Sequence, residues 1–286
     1  MTKTAFLAIL ALQICLDRRG FSPNAMDGQM GAKTRAALAA YCAANGLPPP
    51  SPAEETSAFL RYFPSETGLF ETVEVTAKDL ASLVKIPDSP AGKAALPRMG
   101  YETLNEMFAE RGHVTQNTLR RLNPHIVWTN ATVGTKIRLP AVAPVAVGGK
   151  AALVKVSLSR LTVTAFDAAG KPIAMFPCSI AKDKSKRPPP GEIKIITQIK
   201  NPNYTYTPDF RPKGSRVPRH IFPPGPNNPV GTVWLGLSIP GYGIHGAPLP
   251  ERIGRAESHG CFRLANWNAE KLYGLVKPGT RVLIEQ

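Results

Sequence analysis

The 286-residue sequence predicts a multidomain chain in which a mainly-β sandwich, from about residue 150 to the end, follows a small all-α module and an α+β module. Three observations carry that prediction. Apolar residues recur at helical spacing before residue 50 and alternate strictly after residue 150, the two periods that separate an amphipathic helix from a half-buried strand. A proline run near residue 50 and a small-residue run at 141–149 punctuate the chain. The 43% hydrophobic content is enough for buried cores in each part.

The first helix carries Ile9, Leu12 and Leu16 on one face. Lys3 followed by Ala5 to Leu12 mimics the apolar stretch of an export signal, but Asp17-Arg18-Arg19-Gly20 follows where a small-residue cleavage site would stand, so the segment reads as an amphipathic helix. Asp27-Gly28 marks a turn, Ala37, Leu38 and Tyr41 line a second helix, and Gly46 ahead of Pro48-Pro49-Pro50 ends it, closing a module at residues 1–48. Cys15 and Cys42 lie on these two helices, where a disulfide can form in an oxidising compartment if the Cα separation allows it. Residues 49–67 read as a Pro-rich linker.

Residues 68–141 make the α+β unit. Val73-Glu74-Val75 is its first strand, a stretch from about Lys78 to Arg98 is inserted, Thr103-Leu104 opens a helix, and a second helix after Val114-Thr115 carries Leu119 and Leu122 until Asn123-Pro124. Val133 to Pro140 ends it as a strand. From residue 150 the period is two: Val154, Val156 and Leu158 alternate with polar residues, Leu161, Val163 and Ala165 repeat the pattern, and Ile193, Ile195, Val233, Leu235, Leu237, Val282 and Ile284 mark further strands. One helix is expected, around Asn266 to Val276, and Cys178 in an apolar strand reads as a buried thiol.

Thirty-five Lys and Arg against 20 Asp and Glu give a formal charge of +15, which favours polyanionic partners at long range. No arginine-rich helix, aromatic RNA-binding motif or zinc-finger spacing points to nucleic acid, and no apolar run reaches the 18 residues of a membrane span.

The chemistry concentrates in Ser258-His259-Gly260-Cys261-Phe262-Arg263, with His245-Gly246 a loop upstream. A thiol attacks carbonyls as the thiolate and so needs a base or a positive neighbour, and two imidazoles are available. Gly260 permits a tight turn that aims the sulfur and adjacent amide N–H groups at one carbonyl. A zinc site from His245, His259 and Cys261 would need a fourth ligand or water, and none is evident. The order of His before Cys is the reverse of a papain-like protease.

Ile244-His245-Gly246 through Ser258-His259-Gly260-Cys261-Phe262-Arg263-Leu264 resembles the signature of the L,D-transpeptidases (YkuD domains), and the Pro189-Pro190-Gly191-Glu192 turn and the loop from Pro223 to Gly231 extend the likeness over residues 150–286. The resemblance implies Cys261 as nucleophile, His245 as base oriented by the Gly246 carbonyl, and His259 as oxyanion support or rival base. Arg263 is expected to hold a stem carboxylate or brace the loop, Ser258 to shape the elbow, and Tyr242 and Trp234 to wall the pocket. Neither metal nor cofactor is implied. The N-terminal pattern from Leu12-Gln13 to Gly46-Leu47 resembles a peptidoglycan-binding type 1 module, and residues 68–141 resemble a LysM module with an insertion. The expected partner is therefore peptidoglycan, through stem peptides and glycan strands, with a wall-attached protein as a further acceptor, and the expected site of action is the cell envelope, after export. Transpeptidation, hydrolysis on the same scaffold and a non-catalytic wall anchor all remain compatible with the sequence.

Overall fold

The computed structural model describes residues 2–143, 150–207, 219–258 and 260–286, with residues 256–258 described in backbone alone. The chain opens with α1 (Lys3–Arg18), α2 (Ala32–Ala44) and α3 (Ala58–Tyr62). Then come β1 (Phe70–Glu74), α4 (Ala77–Ala81), α5 (Pro90–Ala94), α6 (Leu104–Arg111), α7 (Gln116–Leu122) and β2 (Lys136–Pro140). Thr103 and Thr115 cap α6 and α7 by accepting hydrogen bonds from the Glu106 and Thr118 amides, as their positions ahead of each helix predict. β1 and β2 pair antiparallel, so the order is βααβ with α4 and α5 as the insertion.

α1 departs from the expected single apolar stripe. Phe6, Leu10 and Ile14 join a core with Phe108, Val114, Leu119, Ile137 and Leu139. Leu12, Cys15 and Leu16 join another with Phe21, Leu38, Cys42, Phe63 and Met175. The helix is thus sandwiched between two cores. Gln13 is buried beside them: its amide nitrogen donates to Asp27 Oδ1 (2.9 Å) and Thr34 Oγ1 (2.9 Å), while its oxygen accepts from the Gly28 amide (2.8 Å), which pins the Asp27-Gly28 turn.

One expectation is corrected here, and the open Cys15–Cys42 alternative is decided. Residues 49–67 are not an extended linker: Pro52–Ser57 forms a 3-10 helix, Ala58 and Phe63 are buried, and Glu66 pairs with Arg18 (3.0 Å) and Arg19 (2.7 Å). Burial of Ala58 and Phe63 against α1 and α2 outweighs the stiffness of the prolines. Cys15 and Cys42 are free thiols in a shared apolar cluster, and burial pushes the Cys15 thiol up to about 12.

The C-terminal part holds β3 (Leu153–Ser157), β4 (Thr162–Phe166), β5 (Pro172–Pro177), β6 (Ile180–Ala181), β7 (Gly191–Lys200), β8 (Tyr204–Tyr206) and β9 (His220–Phe222). β10 (Val233–Leu237), β11 (Gly243–His245), β12 (Ala256–Ser258), β13 (Phe262–Arg263), α8 (Asn266–Leu275) and β14 (Arg281–Glu285) complete it. Eight strands form one continuous mixed sheet, ordered β13-β11-β10-β7-β14-β3-β4-β5, where the alternating pattern suggested a sandwich. The two descriptions meet at β7. Its first half pairs with β14 and its second with β10, so the sheet turns over within one strand and both halves bury Val154, Val163, Phe176, Leu235, Ile244 and Phe262 in a single core with α8.

The N-terminal elements dock onto this sheet. Met175 of β5 exchanges backbone hydrogen bonds with Gly20 (2.9 Å) and Ser22 (2.8 Å). Met99 donates its backbone N–H to the Pro224 carbonyl (2.9 Å) and accepts from the Asn227 amide (3.0 Å), and a Cβ at Gly225, whose φ is +150°, would lie 2.1 Å from the Met99 carbonyl oxygen, so this approach demands glycine. Deeper in, Asp17 is fully buried and its Oδ2 accepts from Lys271 Nζ of α8 (2.7 Å) and lies 2.8 Å from His113 Nδ1. The His113 ring stacks on Trp267 at 4.8 Å between centroids. Burial alone would raise the Asp17 carboxyl, but Lys271 and His113 more than offset it and hold Asp17 well below the usual carboxylate range.

Candidate active site

β11 and β13 run parallel at the end of the sheet, with Ile244 opposite Phe262 and His245 opposite Arg263. That pairing brings the two motif segments side by side. Cys261 stands just before β13, half-buried, with its thiol 3.6 Å from the Gly241 carbonyl oxygen. Burial raises the thiol above its ordinary value, while a hydrogen bond from the Gly243 backbone and the Arg263 charge work the other way without cancelling it. The resting sulfur is therefore a thiol and needs a base to attack anything.

His245 supplies a neutral imidazole. It is buried, and its Nδ1 lies 2.6 Å from the Gly246 carbonyl oxygen. A carbonyl only accepts, so the proton sits on Nδ1 and the lone pair is on Nε2. Burial lowers the imidazole to about 4; the Gly246 bond opposes this and the Arg263 charge adds to it. Trp234 faces His245 across β10–β11 and stacks on it, with centroids 5.4 Å apart and planes at 20°. Gly236 and Gly243 leave room for the indole: a Cβ on Gly243 would sit 2.6 Å from the Trp234 ring.

Gly260 adopts φ +157°, a conformation that side chains disfavour, and a Cβ there would touch the Tyr242 ring at 3.4 Å. Tyr242 donates from its hydroxyl to the Lys186 carbonyl (3.1 Å), tying the loop before β7 to the segment under Gly260. Arg263 is held by two backbone bonds to Ser179 (2.9 Å each), and its Nε is buried with no hydrogen-bond partner among the described residues. Its side chain reaches a cleft of about 150 Å³ shared with Ser179, Ala247, Leu249 and Ile253. Ser258 lies in β12, paired with Ala181 of β6, and His259 lies outside the described residues.

Sequence reasoning overlooked Asn266, seen only as the start of a helix. Its Oδ1 accepts from the Thr232 amide (3.2 Å) and fills the notch between Gly231 and Gly246, where a Cβ on either glycine would come within 2.1 or 2.2 Å of it. Two glycines in separate motif loops are the only sign of this in the chain, and they show that something approaches without showing what. Cys178 is fully buried, and its thiol is pushed up to about 12 by burial, so it takes no part in the cleft.

A model of the YkuD family, the L,D-transpeptidase catalytic domain, matches residues 151–284. A Fuscovulum blasticum protein from the ATP synthase subunits region, which bears the name L,D-transpeptidase, is 36% identical over 145 residues, covering 48% of this chain and 70% of that protein. YkuD of Bacillus subtilis, of the same designation, is 28% identical over 186 residues, covering 65% of this chain and 94% of that one. Among solved structures, L,D-transpeptidase 3 from Mycobacterium tuberculosis aligns with a TM-score of 0.37 at 18% identity, over 47% of this chain and 60% of that one.

Proposed function

The chain belongs to the L,D-transpeptidase family, and on that premise we propose that it is a cysteine acyltransferase acting on peptidoglycan stem peptides in the cell envelope. The observation that carries this reading is the tautomer of His245: with Nδ1–H committed to the Gly246 carbonyl, Nε2 is a free base on the strand beside the one that Cys261 precedes.

In this reading Nε2 of His245 takes the Cys261 proton as the sulfur attacks the carbonyl of the third stem residue. Amide N–H groups around Gly260 and Cys261, with His259, receive the oxyanion. Collapse breaks the peptide bond to the terminal D-alanine, whose amine leaves with the proton from the imidazolium, and a thioester remains. An amine of a neighbouring stem, or of a wall-attached protein, then attacks the thioester, gives its proton to Nε2 and returns the thiol. A raised thiol and a lowered imidazole make the resting pair neutral, so acylation needs no preformed ion pair. Trp234 keeps water from one face of the base, Tyr242 lines the floor, Arg263 attracts a stem carboxylate and Ser258 shapes the elbow. The helix–turn–helix of residues 1–48 and the βααβ unit of 68–141 are read as wall-holding parts that present the polymer to this cleft, in keeping with the +15 charge.

The test is incubation of the full chain with purified muropeptides and mass spectrometry of the products. A dimer lacking one D-alanine, absent with Cys261→Ala, is expected. A shortened monomer alone would reassign the protein as a hydrolase, and product formation by Cys261→Ala would remove the thiol from the mechanism.

A further inference from the structure

His245 is oriented by one carbonyl, and the peptide bearing that carbonyl is held from the N-terminal part of the chain. Asn266 fills the notch against Gly246 with its oxygen; its Nδ2 points the opposite way and donates to Glu110 Oε1 (2.9 Å) and the Pro226 carbonyl (3.1 Å). Glu110 stands in the last turn of α6, 156 residues earlier in sequence.

We propose that Glu110 is a positioning residue for the acyl transfer: by fixing the orientation of the Asn266 amide it holds the Gly246 peptide, whose carbonyl sets the His245 tautomer, so the N-terminal part of the chain completes the catalytic base. An amide has two nearly isosteric orientations, and only one suits this notch. With Oδ1 inward, Asn266 accepts from the Thr232 amide; turned over, its NH₂ would meet that N–H donor and press against Gly231 and Gly246. The Pro226 carbonyl favours the correct orientation, and Glu110, an acceptor with a second bond from Tyr101, reinforces it. The carboxyl is enclosed enough that burial, with Glu106 and Glu270 nearby, raises it to about 7 despite its bonds to Asn266 and Tyr101. An acceptor oxygen, more than a charge, is what the site requires.

The inference rests on His245 being the base, and the test separates the two claims. Full-length wild type, Glu110→Ala, Glu110→Gln and Asn227→Ala are compared by the rate at which a carbapenem acylates the protein and by ¹⁵N NMR of the histidine side chains, which distinguishes Nδ1–H from Nε2–H. Asn227 joins the same two parts of the chain, its side chain donating to the Gly100 carbonyl (3.0 Å) and Glu106 Oε1 (2.6 Å) and not to Asn266. Glu110→Ala should slow acylation about 10- to 100-fold, the scale of a small misplacement of a reacting group, and turn the His245 signals from the Nδ1–H form toward a mixture. Glu110→Gln, which keeps an acceptor oxygen, should restore both, and Asn227→Ala should change neither. Unchanged rate and tautomer in Glu110→Ala, or equal losses in all three variants, would overturn the proposal. If Glu110→Ala does not fold, Glu110→Asp, whose shorter side chain draws its oxygens back from Asn266, is held to the same criteria. A wild type that no carbapenem acylates would defeat the functional reading, while the NMR signals would still decide whether Glu110 positions His245.

Discussion

Replacing Asp17 with alanine removes the acceptor shared by Lys271 and His113 and leaves a lysine in the interface without its counter-charge. Breaking a buried pair by deleting one partner costs about 3–5 kcal/mol. The lower end applies here, because Lys271 keeps a bond to the Asp17 backbone carbonyl at 2.9 Å, its side chain retains 15% exposure, and His113 is free to stay neutral. At about 2–4 °C per kcal/mol for a chain somewhat smaller than this one, a loss of about 3 kcal/mol lowers the melting temperature by roughly 6–12 °C. Calorimetry on wild type, Asp17→Ala, Lys271→Met and the double variant checks it. One transition should appear in each, because α1, the turn after α6 and α8 meet at this network, and the double variant should lose less than the sum of the singles, since the second change finds the pair already broken. Two independent transitions, with Asp17→Ala moving only one of them, would refute the idea that the N-terminal part and the sheet form one cooperative body. Strict additivity would refute the coupling.

Three other outcomes follow from the site. His245, lowered to about 4 from an ordinary 6.5, binds a proton more readily when unfolded and so costs about 3 kcal/mol as pH falls through that window, whereas Glu110, raised to about 7, gains about as much as pH falls from about 7 to 4.5. In denaturant unfolding Glu110→Gln should therefore lose more stability than wild type as pH falls from 7 to 4.5, while buried His113, also held below its ordinary value, adds the same acid loss to both. Trp234→Ala uncovers the imidazole, so the acid limb of carbapenem acylation should move up from about 4 toward 6.5; an unmoved limb would mean that Trp234 does not shield the base. Gly246→Ala drives a methyl to within 2.2 Å of Asn266 Oδ1, and should cost about 1–3 kcal/mol of stability as well as acylation rate, read by melting and adduct mass.

Where a feature depended on neighbours in sequence, it could be read before the fold was known. Alternation at Val154, Val156, Val163 and Ala165 located strands whose side chains are buried as expected, and Thr103 and Thr115 announced the starts of α6 and α7. Features that depend on distant partners were hidden. Asp17 reads as a charged helix end until Lys271 arrives from 254 residues away, and Asn266 reads as a helix start until Gly231, Gly246 and Glu110 surround it. The proline-rich segment misled for the same reason, because Ala58 and Phe63 find their apolar partners on α1, α2 and β5 and not nearby. The pairing of the His245 and Cys261 segments follows from β11 and β13, strands of three and two residues that are too short to declare a period of their own.

The placement of α1 between two cores also sets a timetable for the chain. One of its faces waits for Ile137 and Leu139, the other for Met175, and its Asp17 for Lys271, all of them later in the chain. Contacts this remote in sequence form late, since loop closure must precede their reward, and they slow folding. During that interval the most apolar helix of the N-terminal part stays without its final cover, a state prone to self-association.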